Sequence, residues 1–421
     1  MGNYSENIGQ RPLRICLLSY RSNPHSGGQG VYIKNMSRAL RDLGHRVAVV
    51  YGPPDPQLDT DIQGHQLPSL NLYNPANPFR LPTMRELRNP LNLLEWLSVS
   101  TMGYPEPFIF GIRAYHFLMQ RRESFDVIHD NQSLSYGVWA ISRRMPTVAT
   151  IHHPITVDRT LAVRSASTGW RKMKQMRWYS FIGMQVRVSQ RLPRLITVSN
   201  CARTDISRSF GIPTGRLEVV PNGVRTDQFH PLPDIPREKG RIIVTNSADM
   251  PLKGMRYLLK ALAQLSQTRS VRLVVIGPLK EKGTVNRLIR SLGISDRVSF
   301  TGRIDPSAFA QEYAKACVAV VPSLYEGFGL PAAEAMACGV PVVSTTGGAL
   351  PEVVGDAGIL VPPADTHALV DAISRIFDHP EAAARMGEAG RQRAERRFTW
   401  HSAARLTENV YRRVIRDYAE F

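Results

Sequence analysis

Residues 13–19 (LRICLLS) form a short apolar run, the pattern of a parallel strand buried on both faces. A glycine-bearing stretch, HSGGQG at 25–30, comes next. Val31, Met36, Leu40 and Leu43 then recur at helical spacing up to Gly44, which is suited to ending a helix. Residues 45–51 (HRVAVVY) read as the next strand. Strand, glycine loop, helix and strand make a β-α-β unit, the seed of a doubly wound sheet. The apolar runs at 125–129, 147–151 and 195–199 each end in polar residues. This predicts His129, His152 and Ser199 at the carboxyl ends of strands, where open parallel sheets bind ligands. A proline-rich stretch at 231–236, followed by REKGR at 237–241, predicts a linker. Alternation restarts at 242–245, 271–276, 298–300, 317–321, 340–344 and 358–361, with helical segments between, for example 255–265. The expectation is α/β: two Rossmann-like domains, 1–220 and 221–395, with an interdomain cleft. A basic helix in 396–421, apolar at Leu406, Val410, Tyr411 and Ile415, is expected to pack back on the first domain.

Composition agrees with two or three domains. The chain has 421 residues, 43% hydrophobic and 21% charged, which excludes disorder as the main state. The longest apolar region, 91–119, is broken by Glu95, Pro105, Pro107 and Arg113, so no membrane-spanning helix is expected. Cys16, Cys201, Cys317 and Cys338 are too scattered for a disulfide scaffold and lack zinc spacing. Reduced thiols and the lack of a secretory signal at the N-terminus predict a cytoplasmic protein.

Charge changes the picture more. Lys plus Arg is 53 against 35 acids, a net +18, which implies an anionic partner: nucleic acid, a membrane surface or phosphorylated substrates. Residues 170–194 hold Arg171, Lys172, Lys174, Arg177, Arg187, Arg191 and Arg194, no acid, and the aromatics Trp170, Trp178, Tyr179 and Phe181. That composition suits an anionic membrane interface, and equally a solvated helix packed on its domain.

Several motifs carry candidate chemistry. Gly27, Gly28 and Gly30 do not have the G-x-G-x-x-G spacing, and the second strand ends Val50-Tyr51-Gly52 with no carboxylate for a ribose, so NAD is disfavoured. What remains is a helix N-terminus whose N–H groups suit phosphate. Lys253-Gly254, between a strand and a helix, places a point charge that can hold a diphosphate. The strand at 317–321 leads into a glycine-rich turn carrying Glu326, and a helix at 331–338 carries Glu334 in its first turn. Carboxylates accept hydrogen bonds from hydroxyls, so a polyhydroxylated ligand such as a sugar nucleotide fits. Glycines beside Glu326 let backbone N–H groups approach it. For Glu334, stabilisation by the helix dipole is a sufficient alternative. His152 and His153 would point to opposite faces of a strand, so they are not expected to chelate a metal. His129 either lines the acceptor side or serves as a loop-end hydrogen-bonding group. Asp59-Thr60-Asp61 is a D-x-D triplet in a proline-rich loop and is taken as coincidence.

The segment EGFGLPAAEAMACGVPVV, with GGALPEVVGDAGILVPP after it, resembles the retaining GT-B glycosyltransferases of the GT4 family. The resemblance covers essentially the whole chain: an early GG loop and helix, T-x-H after a strand, P-N-G-V, P-x-K-G, E-x7-E and a C-terminal crossover helix, in that order. It implies transfer of a hexose from a nucleotide-diphosphate sugar, UDP- or GDP-linked, to an acceptor hydroxyl, with retention and without a metal. It also implies roles. Gly28 would lie near the donor diphosphate, His152 would contact the transferred sugar, and Lys253 would bind the diphosphate. Glu326 would bind hexose hydroxyls, with the Gly327, Phe328, Gly329 and Leu330 backbone around sugar and phosphate. Glu334 would bind the ribose, and Arg303 and Ile304 would flank the base. Many members have Arg five residues before that Lys; here Ala248 stands there, so that charge is either missing or supplied from elsewhere, with Lys280 and Arg303 as candidates. A phosphorylated or lipid-linked acceptor at the cytoplasmic face of an anionic membrane fits the charge. Two alternatives stand beside this reading: a GT-B-like nucleotide-sugar epimerase, and a basic nucleic-acid-binding protein, although no nucleic-acid-recognition signature is present.

Overall fold

The computed structural model describes residues 11–23, 28–74, 77, 80–165, 168–245 and 250–420. The readings made above on residues 25–27 and on Ala248 lie outside these. The chain divides into two units. One comprises 1–198, 203–220 and 403–421; the other comprises 199–202 and 221–402.

In the first unit the strands are β1 (Arg14–Ser19), β2 (Arg46–Tyr51), β3 (Gln63–Gln66), β4 (Val127–Asn131), β5 (Thr147–Ile151), β6 (Leu195–Thr197) and β7 (Leu217–Val219). They form one sheet in the order β3-β2-β1-β4-β5-β6-β7, each neighbouring pair parallel. Ile15, Cys16, Leu17 and Leu18 are fully buried, as expected of a central strand covered by helices on both faces. The order reverses between β1 and β4, and that switch point is where doubly wound sheets bind ligands. The helix Gly28–Asp42 starts beyond the end of β1 and buries Ile33, Met36 and Leu40; Gly44, at φ 91°, ends it. The helix Trp400–Ala419 belongs to this unit from Ala403 on, with Val410, Tyr411 and Val414 buried.

The second unit repeats the plan with β8 (Arg241–Thr245), β9 (Arg272–Ile276), β10 (Val298–Phe300), β11 (Val318–Val321), β12 (Val342–Thr345) and β13 (Ile359–Val361). Their order is β10-β9-β8-β11-β12-β13, again parallel, with the switch between β8 and β11. The core joins Ile242, Val244, Leu273 and Val320 to Leu258 and Leu262 of the helix Met255–Leu265.

One expectation is corrected, and two regions gain detail. The stretch read as a linker is packed on the second unit: Arg237 donates to the carbonyls of Ala316 and Gly339, and Glu238 N donates to Lys315 O at 2.8 Å. The region 91–119 holds two helices, Pro90–Ser100 and Glu106–Met119. Its Glu95 is buried against Arg113 at 3.0 Å, which lets a charge sit inside. The basic segment 170–194 also splits. Trp178 and Phe181 join an aromatic cluster with Tyr73 and Tyr104, at centroid distances of 4.9–5.4 Å. Trp170, Met173 and Met176 instead remain 59%, 52% and 62% exposed on the helix Gly169–Trp178.

Candidate functional site

In the second unit the candidate residues gather at the β8/β11 switch. β11 is a four-residue buried valine-rich strand, and Pro322 and Ser323 end it. The turn that follows is clamped by backbone contacts. Leu324 N donates to Leu252 O at 2.7 Å and Ala349 N to Glu326 O at 2.9 Å. Gly254 and Gly348 both have φ of 65°, and a side chain at Gly348 would run into the carbonyl of Glu326. Glycine is therefore required there on two counts, the left-handed backbone and the close approach. The result brings together loops 73 residues apart: Lys253 Nζ lies 2.7 Å from Glu326 Oε1. Ser323 Oγ donates to the same oxygen at 2.7 Å. Ser199, which packs with this unit, donates from Oγ to Gly327 O at 2.8 Å.

The Glu326 turn feeds the helix Leu330–Ala337, which starts from Gly329 at φ 106° with Pro331 near its head. Its first N–H groups have no partner in the helix, and its dipole favours negative charge there. The helix is mostly alanine and buries Ala332, Ala333, Ala335 and Ala337, which lets it sit close to the sheet. Since it starts at Leu330, Glu334 lies in its second turn, not the first; dipole stabilisation at the helix start no longer accounts for it. Burial instead pushes the Glu334 carboxyl up to about 8. Burial, and after it the neighbouring Glu334 when ionised, raises the Tyr313 hydroxyl, whose oxygen meets Thr245 Oγ1 at 2.9 Å. Arg303 is exposed and Ile304 half-buried, just past β10, where Gly302 bridges Gly277 at the end of β9.

In the first unit Gly28 begins its helix and is exposed. His152 directly follows β5 and is half-buried. Its backbone N donates to Gln132 Oε1 at 2.8 Å. Asn131 Nδ2 donates to Gln29 O at 3.1 Å, which turns Asn131 Oδ1 toward the histidine ring. His152 Nε2 therefore carries the hydrogen and donates to that oxygen at 2.7 Å, leaving Nδ1 as the acceptor nitrogen. Burial, with His153 and His129 nearby, holds the ring neutral by pushing its pKa down to about 3. Such a ring accepts a hydrogen bond from a hydroxyl and does not act as a cation.

Two further expectations change. His129 is not at a strand exit. β4 runs on to Asn131, so His129 lies mid-strand, buried, between Tyr411 OH (2.6 Å, at Nδ1) and Thr150 Oγ1 (2.7 Å, at Nε2). His152 and His153 lie past the strand, so strand alternation does not describe them. Among the described residues no group of three or more His, Cys, Asp or Glu is placed to hold a metal. The D-x-D triplet is bound up in ion pairs: Arg38 Nε donates to Asp59 at 2.7 Å, and Arg41 contacts both Asp59 and Asp61. A cavity lined by Tyr20, Glu95, Glu106 and Arg113 has its acids engaged too, Glu95 by Arg113 and Glu106 by Tyr104 OH at 2.7 Å. Sequence reasoning missed Ser323, Asn131 and Gln132. A polar residue within two positions of a strand exit, beside an identified site residue, was the available signal.

Comparison with known proteins gives two family matches that together span most of the chain. Residues 27–223 match the glycosyl transferase 4-like domain, and residues 233–393 match glycosyl transferases group 1. The chain is similar to the MMP alpha-(1->4)-mannosyltransferase of Mycolicibacterium hassiacum, 46% identical over 96% of this chain and 98% of that one. Among solved structures it is similar to sucrose-phosphate synthase of Thermosynechococcus elongatus, with a TM-score of 0.74 and 24% identity over 97% of this chain and 100% of that one. It is also similar to Anabaena HepE solved with UDP and glucose, with a TM-score of 0.68 and 18% identity over 94% and 99% of the two chains.

Proposed function

Because the chain belongs to the GT4 family of GT-B glycosyltransferases and is a hexosyltransferase, we propose that it moves an α-mannosyl residue from a nucleotide-diphosphate mannose to a sugar hydroxyl. Family membership displaces both the epimerase and the nucleic-acid readings. The single observation carrying the sugar and linkage is the 46% identity to a relative named an alpha-(1->4)-mannosyltransferase. A 1→4 linkage makes the acceptor a saccharide with a 4-hydroxyl. An α product from an α-linked donor makes the reaction retaining. UDP bound to a protein of the same fold supports a nucleotide-diphosphate donor, UDP- or GDP-linked.

Roles follow from the two units. Breaking the bond between the anomeric carbon and the diphosphate builds negative charge on the leaving group. In the second unit, Lys253 and the N-terminal N–H groups of the helix Leu330–Ala337, with the Gly327–Leu330 backbone before it, suit such charge; in the first unit, the helix start at Gly28 has the same character. That is the basis for a reaction without a metal. Glu326, held between Lys253 and Ser323, accepts from mannose hydroxyls. Glu334 accepts from the ribose, and Arg303 and Ile304 flank the base. His152 accepts a mannose hydroxyl at Nδ1.

The test is to incubate the protein with UDP- and GDP-linked hexoses and mannoside acceptors, in EDTA, and follow product mass and anomeric configuration. The expected product is an α-linked mannoside from a nucleotide mannose. Transfer from other nucleotide hexoses only, a β product, or activity restored only by added metal would each count against the corresponding part.

A second surface carries its own reading. On the helix Gly169–Trp178, Trp170, Met173 and Met176 are three residues apart, exposed, and flanked by Lys172, Lys174 and Arg177. This supports peripheral contact with an anionic membrane on its cytoplasmic face. No helix among the described residues is long and apolar enough to cross a membrane.

A further inference from the structure

The structure assigns to Tyr411, in the helix Trp400–Ala419 at the end of the chain, the part of a positioning residue for His152. The assignment rests on the reading of His152 as a contact of the transferred hexose. Tyr411 is fully buried, 282 residues from the partner of its hydroxyl, which is His129 Nδ1 at 2.6 Å. The other nitrogen of His129 lies 2.7 Å from Thr150 Oγ1. Thr150 Oγ1 is 3.3 Å from the hydroxyl of Tyr32, which comes from the helix Gly28–Asp42. The Tyr32 ring stands edge-on to two imidazoles: His129 at 6.1 Å and His152 at 4.8 Å, with an interplanar angle of 76° at the latter. Thr150 also lies two residues before His152 on the same strand exit.

The four side chains form one buried hydrogen-bonded line that ends on the wall of the His152 ring. Burial keeps His129 neutral, so its ring has one donor nitrogen and one acceptor nitrogen. A neutral imidazole between two hydroxyls is satisfied with the donors running either way along the line, but only while both hydroxyls are present. Removing the Tyr411 hydroxyl strands a buried ring nitrogen, and a stranded buried polar atom drives the groups around it to rearrange. The rearrangement passes through Thr150 to Tyr32, and so to the ring that orients His152.

Kinetics in two backgrounds test this. Tyr411→Phe keeps the ring and its packing. It is expected to lower kcat about tenfold, within the range that small displacements of site groups cost, while donor KM stays within about twofold and the melting temperature drops by a few degrees. In a His152→Ala background the same substitution is expected to change kcat by less than about twofold, because coupled residues are non-additive. Thr150→Val is expected to reproduce the loss, with no further loss in the Thr150→Val, Tyr411→Phe double variant. An equal kcat loss in both backgrounds, or an undiminished kcat for Tyr411→Phe, overturns the assignment. A His152→Ala enzyme as active as the parent instead overturns the reading of His152, so the two failures are told apart by that single variant.

Discussion

Replacing Glu326 by alanine separates its part in chemistry from its part in folding. In the free protein its Oε1 takes the Lys253 ammonium and the Ser323 hydroxyl, both at 2.7 Å. The Lys253 side chain is 28% exposed, so once unpaired it rehydrates, and a partly exposed ion pair contributes only about 0–1 kcal/mol. Ser323 is buried and loses its acceptor, which costs about 1–3 kcal/mol. The folding loss is thus about 1–4 kcal/mol, inside the usual reserve of about 5–15 kcal/mol. The catalytic loss is larger. Hydrogen bonds to a charged group contribute about 1.5–3 kcal/mol each, and two mannose hydroxyls on one carboxylate make about 3–6 kcal/mol, or roughly 10²–10⁴ in kcat/KM. Glu326→Gln, which keeps the shape and loses the charge, is expected to fall about midway on a logarithmic scale. The measurement is kcat/KM for the nucleotide mannose beside thermal melts of each variant. A Glu326→Ala enzyme that melts like the parent and retains kcat/KM within about threefold would refute the reasoning.

Donor affinity is expected to depend on pH through Glu334. Its carboxyl, pushed up to about 8 by burial, is mostly protonated at neutral pH, whereas a carboxylate accepting two ribose hydroxyls is ionised. Ionisation grows as pH rises, so Kd for the nucleotide diphosphate should fall about tenfold per pH unit from 6 toward 8 and level off above. Calorimetry across that range checks it, and a flat profile, or an unchanged slope in Glu334→Gln, removes the linkage. For the membrane surface, combined Trp170→Ser, Met173→Ser and Met176→Ser should abolish co-sedimentation with anionic vesicles while turnover of a soluble acceptor is kept. Parent protein that does not sediment with those vesicles ends that reading.

Much of the fold was legible because both sheets are parallel. Strands such as β1, β5 and β8 are buried on two faces, so they stand out as mainly apolar runs between helical repeats. The two rim strands of the first sheet carry no such mark: β3 is Gln63-Gly-His-Gln66, mostly exposed, and β7 is three residues long. Neither was visible in the sequence. The exit of β4 was misplaced for a related reason. Asp130 and Asn131 are polar, yet they remain in the strand, because Ser133 Oγ and Leu134 N satisfy the buried Asp130 carboxylate. A chemical pattern alone cannot see that compensation.

By itself the sequence determined where strands give way to loops, and so which side chains stand at carboxyl ends: His152, Lys253 and Glu326 follow from local runs of apolar residues and the glycines and prolines that end them. Which of them meet was decided only in three dimensions. Strand order places β8 beside β11 and β4 beside β5 and so pairs Lys253 with Glu326 across 73 residues, and the packing of the last helix pairs Tyr411 with His129 across 282. The protonation states of Glu334 and His152 were likewise out of reach, because they depend on the packing that removes water from each group.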